Sequence, residues 1–272
     1  MADLSAPLEV PVPAVRLARR PRARLVLGLA SVAGLAMFCW PLLVDVPAGS
    51  VGHVTDAPLA FVVLLPVVLA VVLAELADEG IDSRALAMLG VLSAVDAALR
   101  PLGAGVGGVE LVFFLLVLGG RVFGPGFGFA LGCLSMFASA LLTAGVGPWL
   151  PFQMMAAGWV GLGAGLLPRR LTGRAEIGLL AVYGALAALA YGALMNLWFW
   201  PFSIGDGTAL AYLAGAPLLD NLERFAVFTL VTSTLGWDLG RAVTTVLGIV
   251  VLGPAVLAVL RRTVRRARFA PR

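Results

Sequence analysis

The chain has no lysine, a single histidine and two cysteines, and only 12% of its 272 residues are charged. Each shortage excludes something. With His53 alone, no histidine-based metal cluster can be assembled. Cys39 and Cys133 both lie inside apolar runs, so they read as small core residues rather than a disulfide or a metal pair. Neither a G-x-S-x-G nor an H-E-x-x-H pattern occurs, which leaves an intramembrane protease without a motif. A Walker A sequence is also missing, so ATP hydrolysis would have to come from other chains. No catalytic residue and no metal ligand is assigned. The formal charge of +4 is not a nucleic-acid footprint, because the arginines sit at the ends of apolar runs and not on a soluble domain.

Apolar residues dominate what remains: 61% of the chain is hydrophobic and the mean hydropathy is +1.01. A soluble domain of this length would expose far more charge. The expected fold class is therefore all-α, a polytopic transmembrane helical bundle. A helix crossing about 30 Å of hydrocarbon needs roughly 20 apolar residues. About eight spans meet this, near 25–44, 59–77, 84–100, 107–123, 125–143, 151–167, 177–199 and 238–260. The short apolar segment 222–237 reads as an external or re-entrant helix leading into the last span. Residues 25–44 read as a retained helix, since their apolar core exceeds the roughly 7–15 residues of a signal peptide. Residues 1–24, with four prolines and no periodicity, read as a disordered basic tail, and 261–272 as a second basic tail.

Arginine placement sets the expected orientation. Eight spans put the N-terminal arginines, Arg84, Arg121, the trio Arg169, Arg170 and Arg174, and the C-terminal tail on one side. The opposite side keeps Arg100 and Arg224 beside Asp45, Asp56, Glu110, Asp206, Asp220 and Glu223. Both termini are then cytoplasmic, and the location is a bacterial plasma membrane.

Polar residues near the outer ends of the spans are the candidate site. Asp96 and Arg100 are spaced i, i+4, so on a helix they share a face and can pair. Charges at that depth are costly unless paired or turned toward a cavity. They serve either as a helix-end anchor or as the wall of a ligand pocket, to which Glu110 at the head of the next span would add. Trp149 and Gln153 start the sixth span, and Asn196, Trp198 and Trp200 end the seventh. The tryptophans suit an interfacial belt as well as a cavity, whereas buried amides such as Gln153 and Asn196 need hydrogen-bond partners. The candidate ligand-binding set is thus Asp96, Arg100, Glu110, Trp149, Gln153, Asn196 and Trp200. Small residues on the third span, Ala87, Gly90, Ala94 and Ala98, permit close helix approach, within this chain or with a membrane partner.

The runs "RALAMLGVLSAVDAALRPLG", "LGGRVFGPGFGFALGCLSMF", "PWLPFQMMAAGWVGLGAGLLPRR" and "DLGRAVTTVLGIVVLGPAVLAVLRR" occur in that order. In pattern and order they resemble the substrate-binding S components of energy-coupling factor transporters, over about residues 84–260. The resemblance implies a six-helix core preceded by two additional helices in 25–80. It also implies a subunit, not an enzyme, that binds a vitamin near the outer side and topples to release it inside. The partners it implies are a T-component membrane scaffold and two ABC-type ATPases, which alone use ATP. No bound cofactor is implied. The family's small-residue coupling motif maps onto Ala87, Gly90 and Ala94. A corrinoid such as cobalamin is the leading expected ligand, ahead of riboflavin, thiamine precursors, queuosine precursors and lipid-like cofactors. Two other functions stay open: an intramembrane enzyme acting on lipid or isoprenoid through Asp78, Glu79 and Asp82, and a non-catalytic membrane scaffold.

Overall fold

The computed structural model describes residues 21–43, 65–73, 83–103, 107–203, 208–213 and 215–269. His53, the acidic stretch 74–82, most of the N-terminal tail and the segments 104–106 and 204–207 lie outside these. The described residues form helices and connecting turns, with no strand among them. In chain order the helices are α1 (Pro21–Leu43), α2 (65–73), α3 (Ser83–Leu99), α4 (Val112–Phe123), α5 (Pro125–Leu142), α6 (Leu150–Leu166), α7 (Gly173–Ser203), α8 (Leu218–Thr229) and α9 (Leu239–Phe269). The expected all-α class holds. Four helical stretches are long and apolar enough to cross a membrane: Arg84–Gly103, Pro125–Leu142, Gly173–Pro201 and Leu218–Val264.

At the centre stands α4. Apart from Arg121 in its last turn, its sequence, "VFFLLVLGGRVF", is apolar on every side, and all 12 of its residues are buried. A helix without a polar face has to be surrounded by others, and α5, α6, α7 and α9 do this. At about 18 Å α4 is shorter than the expected span 107–123. The chain before it is held open instead: Gly108 has φ +76°, in the left-handed region that glycine enters without strain.

Close approach explains the small residues that follow. A Cβ on Gly128 of α5 would run into the Gly161 carbonyl of α6 and the Gly120 backbone of α4, so the three helices touch backbone to backbone. Gly124 alone links α4 to α5, with φ +106°, and Pro125 opens α5, where its missing N–H costs no helical bond. The N-terminal helix α1 is docked on this core. Phe38, fully buried, meets Phe152 edge-on at 5.0 Å, and Trp159 donates its indole N–H to the Ser31 hydroxyl at 3.0 Å.

The segment 222–237 leads into the last helix without a break: α8 continues through a π-helical stretch, Leu230–Asp238, directly into α9. A π-helical stretch inside a longer helix commonly marks a functional position, and this one carries Asp238.

Candidate functional site

Five polar side chains gather where α4 begins. Arg241, near the start of α9, is 8% exposed and pairs through Nε with the carboxylate of Glu110. Through NH1 it also pairs with Asp238 at 2.8 Å. The faces of Phe113 and Tyr191 flank the guanidinium, with centroids 5.6 and 5.1 Å from its carbon. Ser233 donates to the second Asp238 oxygen at 2.9 Å. A Cβ on Gly192 would collide with the Asp238 carboxylate, so this glycine is what lets the acid lie against α7. The buried guanidinium thus has two carboxylates and two aromatic faces, which offsets its loss of water.

A second group surrounds Arg100. Arg100 opens the 3₁₀ turn Arg100–Gly103 and donates to the Gln153 side-chain oxygen at 3.1 Å. Gln153 in turn lines a cleft of about 380 Å³ with Trp149, Met195, Asn196, Trp198 and Phe199. The Asn196 amide nitrogen is buried and makes no hydrogen bond.

Of the residues singled out from sequence, Trp149, Gln153 and Asn196 therefore share the cleft, and Arg100 touches it through Gln153. Glu110 belongs to the Arg241 group beside it. Asp96 and Trp200 do not line the cleft. Asp96 is fully buried on α3 with neither carboxylate oxygen hydrogen-bonded, and Ser135 of α5 approaches it without closing a bond. No ion pair joins it to Arg100 among the described residues; the Arg100 guanidinium bonds to Gln153 instead. Trp200 is fully buried, donates to the Leu210 carbonyl at 2.7 Å and packs edge-on against Tyr212. It anchors the segment 208–213 and does not line the cleft. Asn221, bonded to Leu213 through both its amide groups, holds the same segment from α8.

Ala87, Gly90 and Ala94 all lie exposed on α3, and a Cβ on Gly90 would meet nothing within 4 Å. Asp238 and Arg241 are absent from the sequence reading. Their i, i+3 spacing at the head of the last apolar run is the signal that marks them, by the same argument that picked out Asp96 and Arg100.

A different network closes the other end of α4. Arg121 donates through Nε to Glu176 at 2.7 Å and through NH1 to the carbonyls of Leu167 and Pro168 at 3.0 and 2.9 Å. Arg261 of α9 holds the same carboxylate at 2.7 and 2.8 Å. One acid so ties α4, α7, α9 and the α6–α7 turn.

Among the described residues no group of three or more His, Cys, Asp or Glu is placed to hold a metal ion. The cleft is lined by three aromatic side chains, one methionine and two amides, and Arg100 reaches it only through its bond to Gln153. No protein-family model, curated protein or solved structure matches the chain.

Proposed function

We propose that this chain is the substrate-binding membrane subunit of a vitamin importer of the energy-coupling factor type. In this reading it is a polytopic bundle of about eight spans in the plasma membrane, with both termini cytoplasmic. The observation that carries the reading is the Arg100–Gln153 bond, which brings a cation to the wall of the aromatic cleft. Ligand sites are mostly apolar with a few placed polar groups, and this cleft has that composition. The apolar exterior supports the membrane placement: Val32, Val182, Leu186, Val251 and Val259 are each more than 60% exposed. Exposure of Ala87, Gly90 and Ala94 suits docking of a membrane scaffold on α3, while ATP would be consumed by partner ATPases.

The cleft is open along one side, so its volume of about 380 Å³ sets no upper limit on the ligand. A ligand with a flat ring system, stacked against Trp149 and Trp198 with a polar edge toward Gln153, fits these groups best. The test is purification of the tagged chain from native membranes, followed by binding across a vitamin panel. A T-component scaffold and two ATPases should co-purify, and one vitamin should bind the isolated chain. Absence of both sinks the reading. Loss of activity on alanine substitution of Asp78, Glu79 and Asp82 would favour the enzyme instead.

A further inference from the structure

The α6–α7 turn has an unusual charge balance. Five arginines, Arg121, Arg169, Arg170, Arg174 and Arg261, gather there around one described acid, Glu176. Both oxygens of that acid are already taken, one by Arg121 and Arg261 and the other by Arg261. Arg121 also draws the turn's backbone inward, holding the carbonyls of Leu167, Pro168 and Leu171. With its carbonyls turned toward the core, the turn presents the side chains of Arg169, Arg170 and Arg174 to the outside, and all three are exposed. Arg169 stays close enough to Arg121 for burial and the like charge to push its pKa down. Apolar side chains lie directly beside these cations: Leu166 is 67% exposed and Leu171 39%.

We propose that this turn is a binding site for the headgroup of an anionic phospholipid, with Arg169, Arg170 and Arg174 on the phosphate and Leu166 and Leu171 against the acyl chains. The pairing of cations with adjacent exposed leucines selects a lipid over free phosphate. A phosphodiester has two unesterified oxygens, which match the forked donors of a guanidinium. Basic clusters at the ends of membrane helices bind such headgroups. This inference rests on the membrane placement proposed above, and the lipid would fix the depth of the end of the bundle that Arg121 and Glu176 tie together.

Native mass spectrometry of the full chain in neutral detergent tests it, with dioctanoyl phosphatidylglycerol and dioctanoyl phosphatidylcholine as probes. The anionic lipid should bind saturably and at least about tenfold tighter than the zwitterionic one. R169Q/R170Q/R174Q should lose that preference while keeping its unfolding temperature, since none of the three joins the Glu176 network. Single substitutions should each lose part of it. Equal binding of the two lipids overturns the proposal, as does an unchanged preference in the triple variant. Displacement of the lipid by equimolar inorganic phosphate would overturn it too, making the turn a simple anion site. Carbonate washing of membranes tests the placement separately. Release of the chain into the supernatant overturns that placement, and the lipid site with it. A retained chain without lipid preference overturns the lipid site alone.

Discussion

Arg121 and Arg241 sit at opposite ends of the same buried region and are treated differently. Arg121 makes bonds from Nε and both terminal nitrogens, to Glu176 and three backbone carbonyls. Every one of those partners belongs to the frame that joins α4, α7 and α9. Arg241 is also paired, with Glu110 and Asp238, but the Glu110 side chain stays 27% exposed. On the same side of the molecule Arg100 gives its hydrogen bond to a neutral amide at the edge of the cleft. Asn196 beside it keeps an unused donor. The comparison teaches that buried charge has two uses in this bundle. At the Arg121 end it ties helices, and at the Arg241 end, on the proposed function, it supports the end of the molecule that takes the ligand.

Substitutions separate the two uses, beginning with the largest effect. Arg241→Ala leaves Asp238 and Glu110 without their cation, one of them almost fully buried. Breaking a buried pair from one side costs about 3–5 kcal/mol, so this variant should show the largest fall in thermal unfolding temperature in detergent. Glu176→Ala strands two arginines, but Arg121 keeps its carbonyl partners and Arg261 is partly exposed. A loss of about 3 kcal/mol is expected, and an unfolding temperature equal to wild type would remove Glu176 from its tying role. Gly128→Ala forces α5 away from α6 and should cost about 1–3 kcal/mol. Chemical denaturation would show it as a shifted midpoint; wild-type stability would mean that the helices separate freely. Trp200→Phe removes the bond to the Leu210 carbonyl and puts a smaller ring at a fully buried position, a loss of about 1–2 kcal/mol. Its clearest readout is faster proteolysis within 208–213, and unchanged cleavage would show that the indole N–H does not hold that segment.

Much of the helix layout was legible because apolar runs of membrane length are local features. The segments expected at 84–100, 125–143 and 177–199 coincide closely with α3, α5 and α7. Two boundaries were not. The start of α4 depends on Gly108 fitting against the Trp237 backbone, a contact between residues far apart in sequence. The continuity of α8 with α9 was hidden because a π-helical stretch leaves no distinct hydrophobic period. For the site, residue type singled out Trp149, Gln153, Asn196 and Arg100, while spacing carried no information on long-range pairs. Arg100 looked like the partner of Asp96 by spacing, yet its bond is with Gln153, 53 residues away. Glu110 and Arg241 are 131 residues apart, and no local pattern announces such a pair. The one local signal there, Asp238 with Arg241, needed only the rule already applied at Asp96.

The most direct test of the central claim measures how the vitamin identified by the binding panel shifts the unfolding temperature of three proteins: wild type, Arg100→Ala and Glu176→Ala. Arg100→Ala should unfold at the wild-type temperature without ligand and lose most of the ligand-induced rise. Glu176→Ala should start lower yet rise as far as wild type does. A full ligand-induced rise in Arg100→Ala, or its loss in Glu176→Ala, would contradict the assignment of binding to one end and tying to the other.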